Sequence, residues 1–286
     1  MNFDNNHNLV GTKYRFRLDL SYDGTNYHGW ASQTNLATVQ TTIETVLKRI
    51  TRDFTNLDQI YCAGRTDTGV HAWQQVAHLD LRNSHINKIL GKVTNVDFAQ
   101  FATILRYKLN SLLPNDIVIN KITRVSSKFD ARHSVLRRTY KYYISNDISK
   151  RLATSSRFSF WVDNKLDVDS MNLAAGKLVG ENDFYSFIKN RPEQSTIRDL
   201  QNFSWQFSVS SGLIVASLTA NAFAHNMVRC LVGASLMVGK GYRQPEWLYQ
   251  SLLDKKRKAS LGPAPAKGLF LYKIDYPMEF VKSSLD

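Results

Sequence analysis

The stretch Gly64-Arg65-Thr66-Asp67-Thr68-Gly69-Val70-His71-Ala72 stands out for its chemistry. A cation and a carboxylate stand two apart, and glycines bound them on both sides. Glycines around polar residues mark a loop rather than the interior of an element. Such a loop can offer a carboxylate to a substrate. It can equally be a turn in which Asp67 caps backbone amides and Arg65 makes a weak surface ion pair. Residue types alone leave both readings open.

Other common chemistries find little support. No GxGxxG follows a strand, so dinucleotide binding is not indicated. Gly233 to Gly241 reads GASLMVGKG, which faintly resembles a phosphate loop. Its glycine spacing is wrong, no serine or threonine follows Lys240, and it lies inside a helical pattern, so packing is the expected role. The 7 histidines form no HExxH. There is no HxE with a later PCxxC, the signature of a zinc deaminase acting on bases. Cys62 and Cys230 are the only cysteines and form no CxxC. Neither a disulfide framework nor a thiolate zinc site is expected, and a reduced, cytosolic setting fits.

Composition narrows the partners. The chain has 286 residues, 43% hydrophobic and 21% charged, which is the balance of a globular protein with a real core. Lysine plus arginine number 37 against 24 acidic residues, a net charge of +13. That excess points to a polyanion, most simply nucleic acid. No apolar run reaches the roughly 18–20 residues that span a bilayer. Met1 to Thr12 is polar and asparagine-rich, without the basic start and apolar middle of a signal peptide, and reads as a loose tail.

The elements that must position the loop follow from periodicity. Tyr14, Phe16, Leu18, Leu20 and Tyr22 alternate with Arg15, Arg17, Asp19 and Ser21, a half-buried strand ended by Asp23-Gly24. Thr38 caps a helix with an apolar stripe of Val39, Ile43, Val46, Leu47 and Ile50. A short strand near Ile60 to Ala63 enters the loop, and Gln75 to Leu81 leaves it. Asp97 caps a second helix through Phe98, Phe101, Leu105, Leu109 and Leu112, and Pro114-Asn115-Asp116 precedes a strand from Ile117 to Val125.

The second half repeats this order loosely. Tyr140 to Ile144 is a strand. Asp169 opens a helix through Met171, Ala174, Ala175 and Leu178, closed by Gly180. Phe203, Trp205, Phe207 and Val209 alternate, and Ser211-Gly212 turns them into Leu213 to Ala220. Helices at about Asn226 to Val238 and after Pro245 precede a last strand, Leu269 to Tyr276. The expected fold is α+β: two pseudo-repeated α/β subdomains sharing one long, mostly antiparallel sheet, with a cleft between them as the natural substrate site. The expected division is a tail over 1–13, a catalytic-loop subdomain over 14–130 and a second subdomain over 131–280.

The loop and several separate motifs together resemble one family. The nonapeptide 64–72 is similar to the catalytic loop of the tRNA pseudouridine synthase A (TruA) family. Tyr22-Asp23-Gly24-Thr25-Asn26-Tyr27-His28-Gly29-Trp30 resembles its first strand and turn, and Thr38-Val39-Gln40 the start of its first helix. Arg137-Arg138-Thr139-Tyr140-Lys141-Tyr142 resembles its tyrosine strand. Gly180-Glu181-Asn182-Asp183-Phe184, Asn221-Ala222-Phe223 through Met227-Val228-Arg229, and Ala264-Pro265-Ala266-Lys267-Gly268-Leu269 follow in the same order. The resemblance covers roughly residues 14 to 276. Ala31 stands where the family usually has glutamine, Thr68 where it has alanine or serine, and Ala224 where leucine is common. These departures bear on fine RNA contacts rather than on reacting groups.

What the resemblance implies is specific. The fold would be that of a pseudouridine synthase, and the reaction the isomerisation of uridine at positions 38, 39 and 40 of the tRNA anticodon stem-loop. Asp67 would be the nucleophile and Arg229 its ion-pair partner. Tyr140 would stack on the flipped uracil, and Arg65 would hold the flipped nucleotide through its phosphates. No cofactor and no metal would be needed, and the protein would act as a cytoplasmic homodimer with tRNA across both subunits. His71 is expected to be structural. Lys255-Lys256-Arg257-Lys258 reads either as a phosphate contact or as a solvated charge run. Two other readings compete: a non-catalytic RNA-binding protein or chaperone, and a pseudouridine synthase with another RNA target.

Overall fold

A computed structural model describes residues 12–55, 57–189 and 195–281. Residues 1–11 of the expected tail lie outside the described residues. The chain forms two compact units. One holds the described residues up to Thr68, together with 72–136 and those from Ile274 on; the other holds Gly69–His71 and Arg137–Lys273.

In the first unit, β1 (Lys13–Tyr22) is the strand that the alternation predicts, with Phe16, Leu18, Leu20 and Tyr22 buried. Helix α1 (Val39–Thr51) starts at Thr38, whose hydroxyl accepts from the Thr41 amide while Thr41 reciprocates on the Thr38 amide. This capping box satisfies helix donors that would otherwise be orphaned. Short β2 (Tyr61–Cys62) and long β3 (His71–Arg82) follow. Helix α2 (Asn83–Leu90), which the sequence reading lacks, continues directly from β3 and buries Ile86, Ile89 and Leu90. Asp97 caps α3 (Phe98–Asn110) in a second capping box with Gln100. The helix stops at Asn110, so Leu113 turns inward and Leu112 is left 40% exposed. β4 (Ile117–Val125) completes the strand order β4-β1-β3, all antiparallel, with β2 on β3.

The second unit opens with β5 (Arg137–Ser145), which pairs with β6 (Phe160–Trp161) in parallel. Helix α4 (Val168–Gly176) is capped by Asp167, not Asp169, because the Asp167 carboxylate accepts from the Ser170 amide at 3.0 Å. Gly180, at φ +113°, begins β7 (Gly180–Asp183) rather than closing the helix. The hairpin β8 (Ile197–Ser208) and β9 (Leu213–Ala220) turns at Gly212, whose φ is +67°. Val209 lies beyond the strand and is exposed. Helices α5 (Met227–Gly239) and α6 (Glu246–Leu253) precede β10 (Leu269–Asp275), and α7 (Met278–Val281) follows. The strand order here is β10-β5-β9-β8-β7, with β5-β9, β8-β9 and β7-β8 antiparallel. The protein is thus α+β with ten strands among the described residues, mostly antiparallel. Among those residues, no helix is long and apolar enough to cross a membrane.

Candidate active site

The loop between β2 and β3 is the irregular segment that the glycines predict. Its entry is zipped shut: the Ala63 amide donates to Val76 O at 2.8 Å. Beyond that point the backbone is held by side chains. The Gln75 amide donates to Gly64 O at 2.7 Å and accepts from the Gly64 amide at 3.4 Å. The Tyr22 hydroxyl lies 2.8 Å from Thr66 Oγ1, and the Trp30 amide donates to Thr66 O at 3.1 Å. Trp30 and its neighbour are themselves fixed by α1, whose first amides, Val39 and Gln40, donate to Gly29 O and Trp30 O. A helix N-terminus thus spends its orphan donors on the segment that braces the loop.

Gly29 has to be glycine. Its φ is +86°, and a Cβ there would sit 2.5 Å from Thr66 O. The result is a loop with two kinds of residue. Gly64 and Thr66 are bound from within, whereas Arg65 is exposed and Asp67 half-buried.

The second unit carries the other predicted residues on regular elements. Tyr140 lies on β5 opposite Leu218 of β9, is 7% exposed, and meets the Phe223 ring edge-on at 5.1 Å. Arg138, one pleat earlier, donates to Asn221 O at 2.8 Å and ties down the chain leading to Phe223. Tyr142 on the same face is buried in the core, and its hydroxyl donates to Pro265 O at 2.8 Å. Burial pushes that phenol above its ordinary range, against the pull of nearby Arg229, so it remains a donor. Tyr143 is only half-buried, edge-on to Phe270.

Arg229 lies in the first turn of α5 and does not simply point to solvent. Its Nε donates to Ala264 O at 2.7 Å and its Nη1 to Asn226 Oδ1 at 3.3 Å, while the Ala264 amide donates back to Arg229 O at 2.9 Å. Asn226 takes the left-handed conformation at the helix start, φ +63°, and gives its side chain to the arginine instead of a cap. One turn on, Gly233 faces the Gly262 carbonyl so closely that a Cβ would collide with it. Gly239 likewise meets Met171 of α4. Gly233 and Gly239 of GASLMVGKG are therefore packing residues, whereas Gly241 lies beyond the helix at φ +75° with open space around it.

With these geometries in hand, similarity to known proteins decides the family. The family model for tRNA pseudouridine synthase matches residues 174–277, which include Arg229. The tRNA pseudouridine synthase A of Bifidobacterium longum is 38% identical over 289 residues, spanning 93% of this chain and 94% of that protein. The Streptomyces avermitilis tRNA pseudouridine synthase A is 40% identical, over 93% of this chain and 89% of its own length. That of Mycobacterium leprae is 38% identical, over 94% and 91%. The chain belongs to the tRNA pseudouridine synthase A family.

For this synthase-family chain, the sequence reading missed the residues that brace the loop: Tyr22, Gly29, Thr66 and Gln75. Gln75 carried a signal, a polar residue at the head of the buried run Val76-Ala77-His78-Leu79. His71 is structural as expected: fully buried, stacked on Phe270 at 4.6 Å, with Nε2 3.0 Å from Arg157 O. Of the basic run, Lys255 pairs with Asp183 at 3.1 Å and Lys258 pairs with Asp254. Two of its four charges are thus already engaged within the protein.

Proposed function

We propose that this protein converts uridine to pseudouridine in tRNA, at positions 38, 39 and 40 of the anticodon stem-loop, with Asp67 as the nucleophile. The observation that carries the reading is a half-buried carboxylate on a braced loop, in a chain 38% identical to a tRNA pseudouridine synthase A over 93% of its residues.

The reaction is an isomerisation. The C1′–N1 bond breaks, the uracil turns, and C5 bonds to C1′; the proton leaves C5 and N1 gains one. Nothing is oxidised or reduced, so the net change calls for no redox cofactor. The Asp67 carboxylate either adds to C1′ or takes a sugar proton to give a glycal-like intermediate, and both routes split one hard step into easier ones. Either demands an ionised carboxylate away from bulk water, which a nearby cation stabilises. Arg229 is proposed for that role, because a planar, permanently charged guanidinium suits a fixed pairing better than lysine does.

The target base must leave its stack, at a cost of a few kcal/mol. Stacking on Tyr140 offsets about 1–3 kcal/mol of that. Arg65, exposed on the loop, holds the flipped nucleotide through its phosphates. The net charge of +13 suits a tRNA partner. Action as a cytoplasmic homodimer is part of the proposal.

Pseudouridine mapping of tRNA after incubation with purified protein and with its Asp67→Ala variant tests this reading. New pseudouridine in the anticodon arm with the wild type alone is expected. Product elsewhere would overturn the target. Salt-sensitive tRNA binding without product would favour a non-catalytic RNA-binding protein.

A further inference from the structure

We infer that Tyr22, Gln75 and Thr66 form a positioning relay that sets the Asp67 carboxylate in its reactive place. This rests on Asp67 being the nucleophile.

The relay is a continuous chain of buried hydrogen bonds, and its Gln75 end has a determined orientation. Gln75 Nε2 has two protons; one goes to Gly64 O at 2.7 Å and the other to the Tyr22 oxygen at 3.4 Å. Gln75 Oε1 accepts from the Gly64 and Val76 amides at 3.4 and 3.2 Å. Exchanging O and N of the Gln75 amide would set donors against donors, so its orientation is determined. Tyr22 accepts from Gln75, and its hydroxyl shares a hydrogen bond with Thr66 Oγ1 at 2.8 Å. Gln75, Tyr22 and Thr66 are 0%, 4% and 7% exposed. Hydrogen bonds so well buried are strong and costly to leave unmade.

The placement of the relay is what links it to chemistry. Thr66 precedes Asp67 directly, and its carbonyl is already held by the Trp30 amide. With side chain and carbonyl both bound, the peptide that enters Asp67 has little freedom to rotate. Along the arc, Gly64 and Thr66 are bound from within, Arg65 is exposed and Asp67 is half-buried. Register brings Gln75 to the right spot. Leu20 faces Gln75, but Tyr22 faces Ala72, so β3 carries one extra residue there. Such a bulge re-aims the side chains beside it. Together these groups form an orienting shell around a nucleophile that must be held to within about an ångström.

The test uses the full chain and tRNA substrate. Tyr22→Phe removes one oxygen and keeps the ring packed beside Trp30, 6.0 Å between centroids. Its kcat is expected to fall about 10- to 100-fold with KM for tRNA within about twofold, since a misplaced nucleophile loses turnover rather than binding. Thr66→Val is expected to show the same loss and Thr66→Ser to restore most of it. The double variant Tyr22→Phe with Thr66→Val is expected to match the worse single variant, because both remove one bond. Wild-type kcat in Tyr22→Phe or Thr66→Val, failure of Thr66→Ser to recover, or additive losses would each overturn the relay. Asp67→Ala, assayed alongside, separates the two ideas. If it is inactive while Tyr22→Phe turns over normally, only the relay falls; if it is active, the nucleophile assignment falls and takes the relay with it.

Discussion

The two units hold their chemical groups by opposite means. In the first, Asp67 stands on irregular chain, and its place is set by side chains reaching in from β1 and β3 and by the Trp30 amide of the segment before α1. In the second, Tyr140 and Arg229 stand on a strand and a helix, and their places come largely from regular backbone. There the side chains only trim orientation, as when Ala264 O and Asn226 take the guanidinium. A loop lets a carboxylate protrude where no regular element would put it, but every degree of freedom it gains must be removed again by a specific bond. A helix or strand needs fewer such bonds and offers fewer positions. The first unit should therefore be fragile at many polar points, and the second mainly where backbones touch.

The largest expected effect attacks the loop through its brace. Gly29→Ala would put a Cβ 2.5 Å from Thr66 O at a φ of +86°. We expect a loss of about 2–4 kcal/mol in stability, with turnover falling further than stability explains. A variant with wild-type melting and turnover would break the comparison. Next comes Arg229→Lys, which keeps the charge but not the fork that reaches Ala264 O and Asn226 at once. Turnover should fall about 10- to 100-fold with little change in melting temperature, since α5 is built from backbone and apolar packing. A large drop in melting temperature would show that the arginine is a fold residue instead.

A smaller effect is expected at the helix that braces the loop. Thr38→Ala removes the half of the buried capping box made by the Thr38 hydroxyl and should cost about 1 kcal/mol, read as a lower urea midpoint at unchanged slope. No change in midpoint would mean that the Gly29 and Trp30 carbonyls suffice to hold the helix start.

The smallest effect is a dependence on pH confined to the first unit. Burial, helped by Arg15, holds His78 below its ordinary value of 6.5, and its Nδ1 accepts from the Ala131 amide at 3.0 Å. Asp130 and Asp80 pull the other way. As pH falls through about 6.5, the unfolded chain takes up a proton that the folded histidine refuses, so stability declines. Both carboxylates are themselves held below 3.8, so their own losses come only in stronger acid. Urea midpoints at pH 7.5 and 5.5 should differ less in His78→Gln than in the wild type. An equal difference in both would assign the slope to other groups.

Much of this architecture is legible in the chain. Strict alternation marks β1, Thr38 and Asp97 mark their helices, and two glycines mark the loop. Helix α2 is not legible because it leaves β3 with no break, has arginine rather than Ser, Thr, Asp or Asn at its N-cap, and its stripe of Ile86, Ile89 and Leu90 fills only eight residues. Choosing Asp167 over Asp169 as a cap needs the local backbone, since both are aspartates and only one reaches Ser170. At the site, the groups that would react are visible by type and by resemblance. Those that hold them are not, because Tyr22, Gly29, Thr66 and Gln75 come together only through strand register. Periodicity reports which face a residue takes, not which partner it finds there.

The extra residue in β3 makes the loop hard to transplant. Cut out by its sequence, 64–72 would leave behind the tyrosine, the glutamine and the offset that lets them meet. A host hairpin with regular pairing would send the residue at position 75 to a different neighbour, and the aspartate would hang from an unbraced arc. The smallest piece that could be moved with its geometry intact is therefore three-part: the end of β1, the turn through Gly29 and Trp30, and the head of β3. The same reasoning makes the spacing from Asp67 to Gln75 a length that insertions and deletions cannot easily alter.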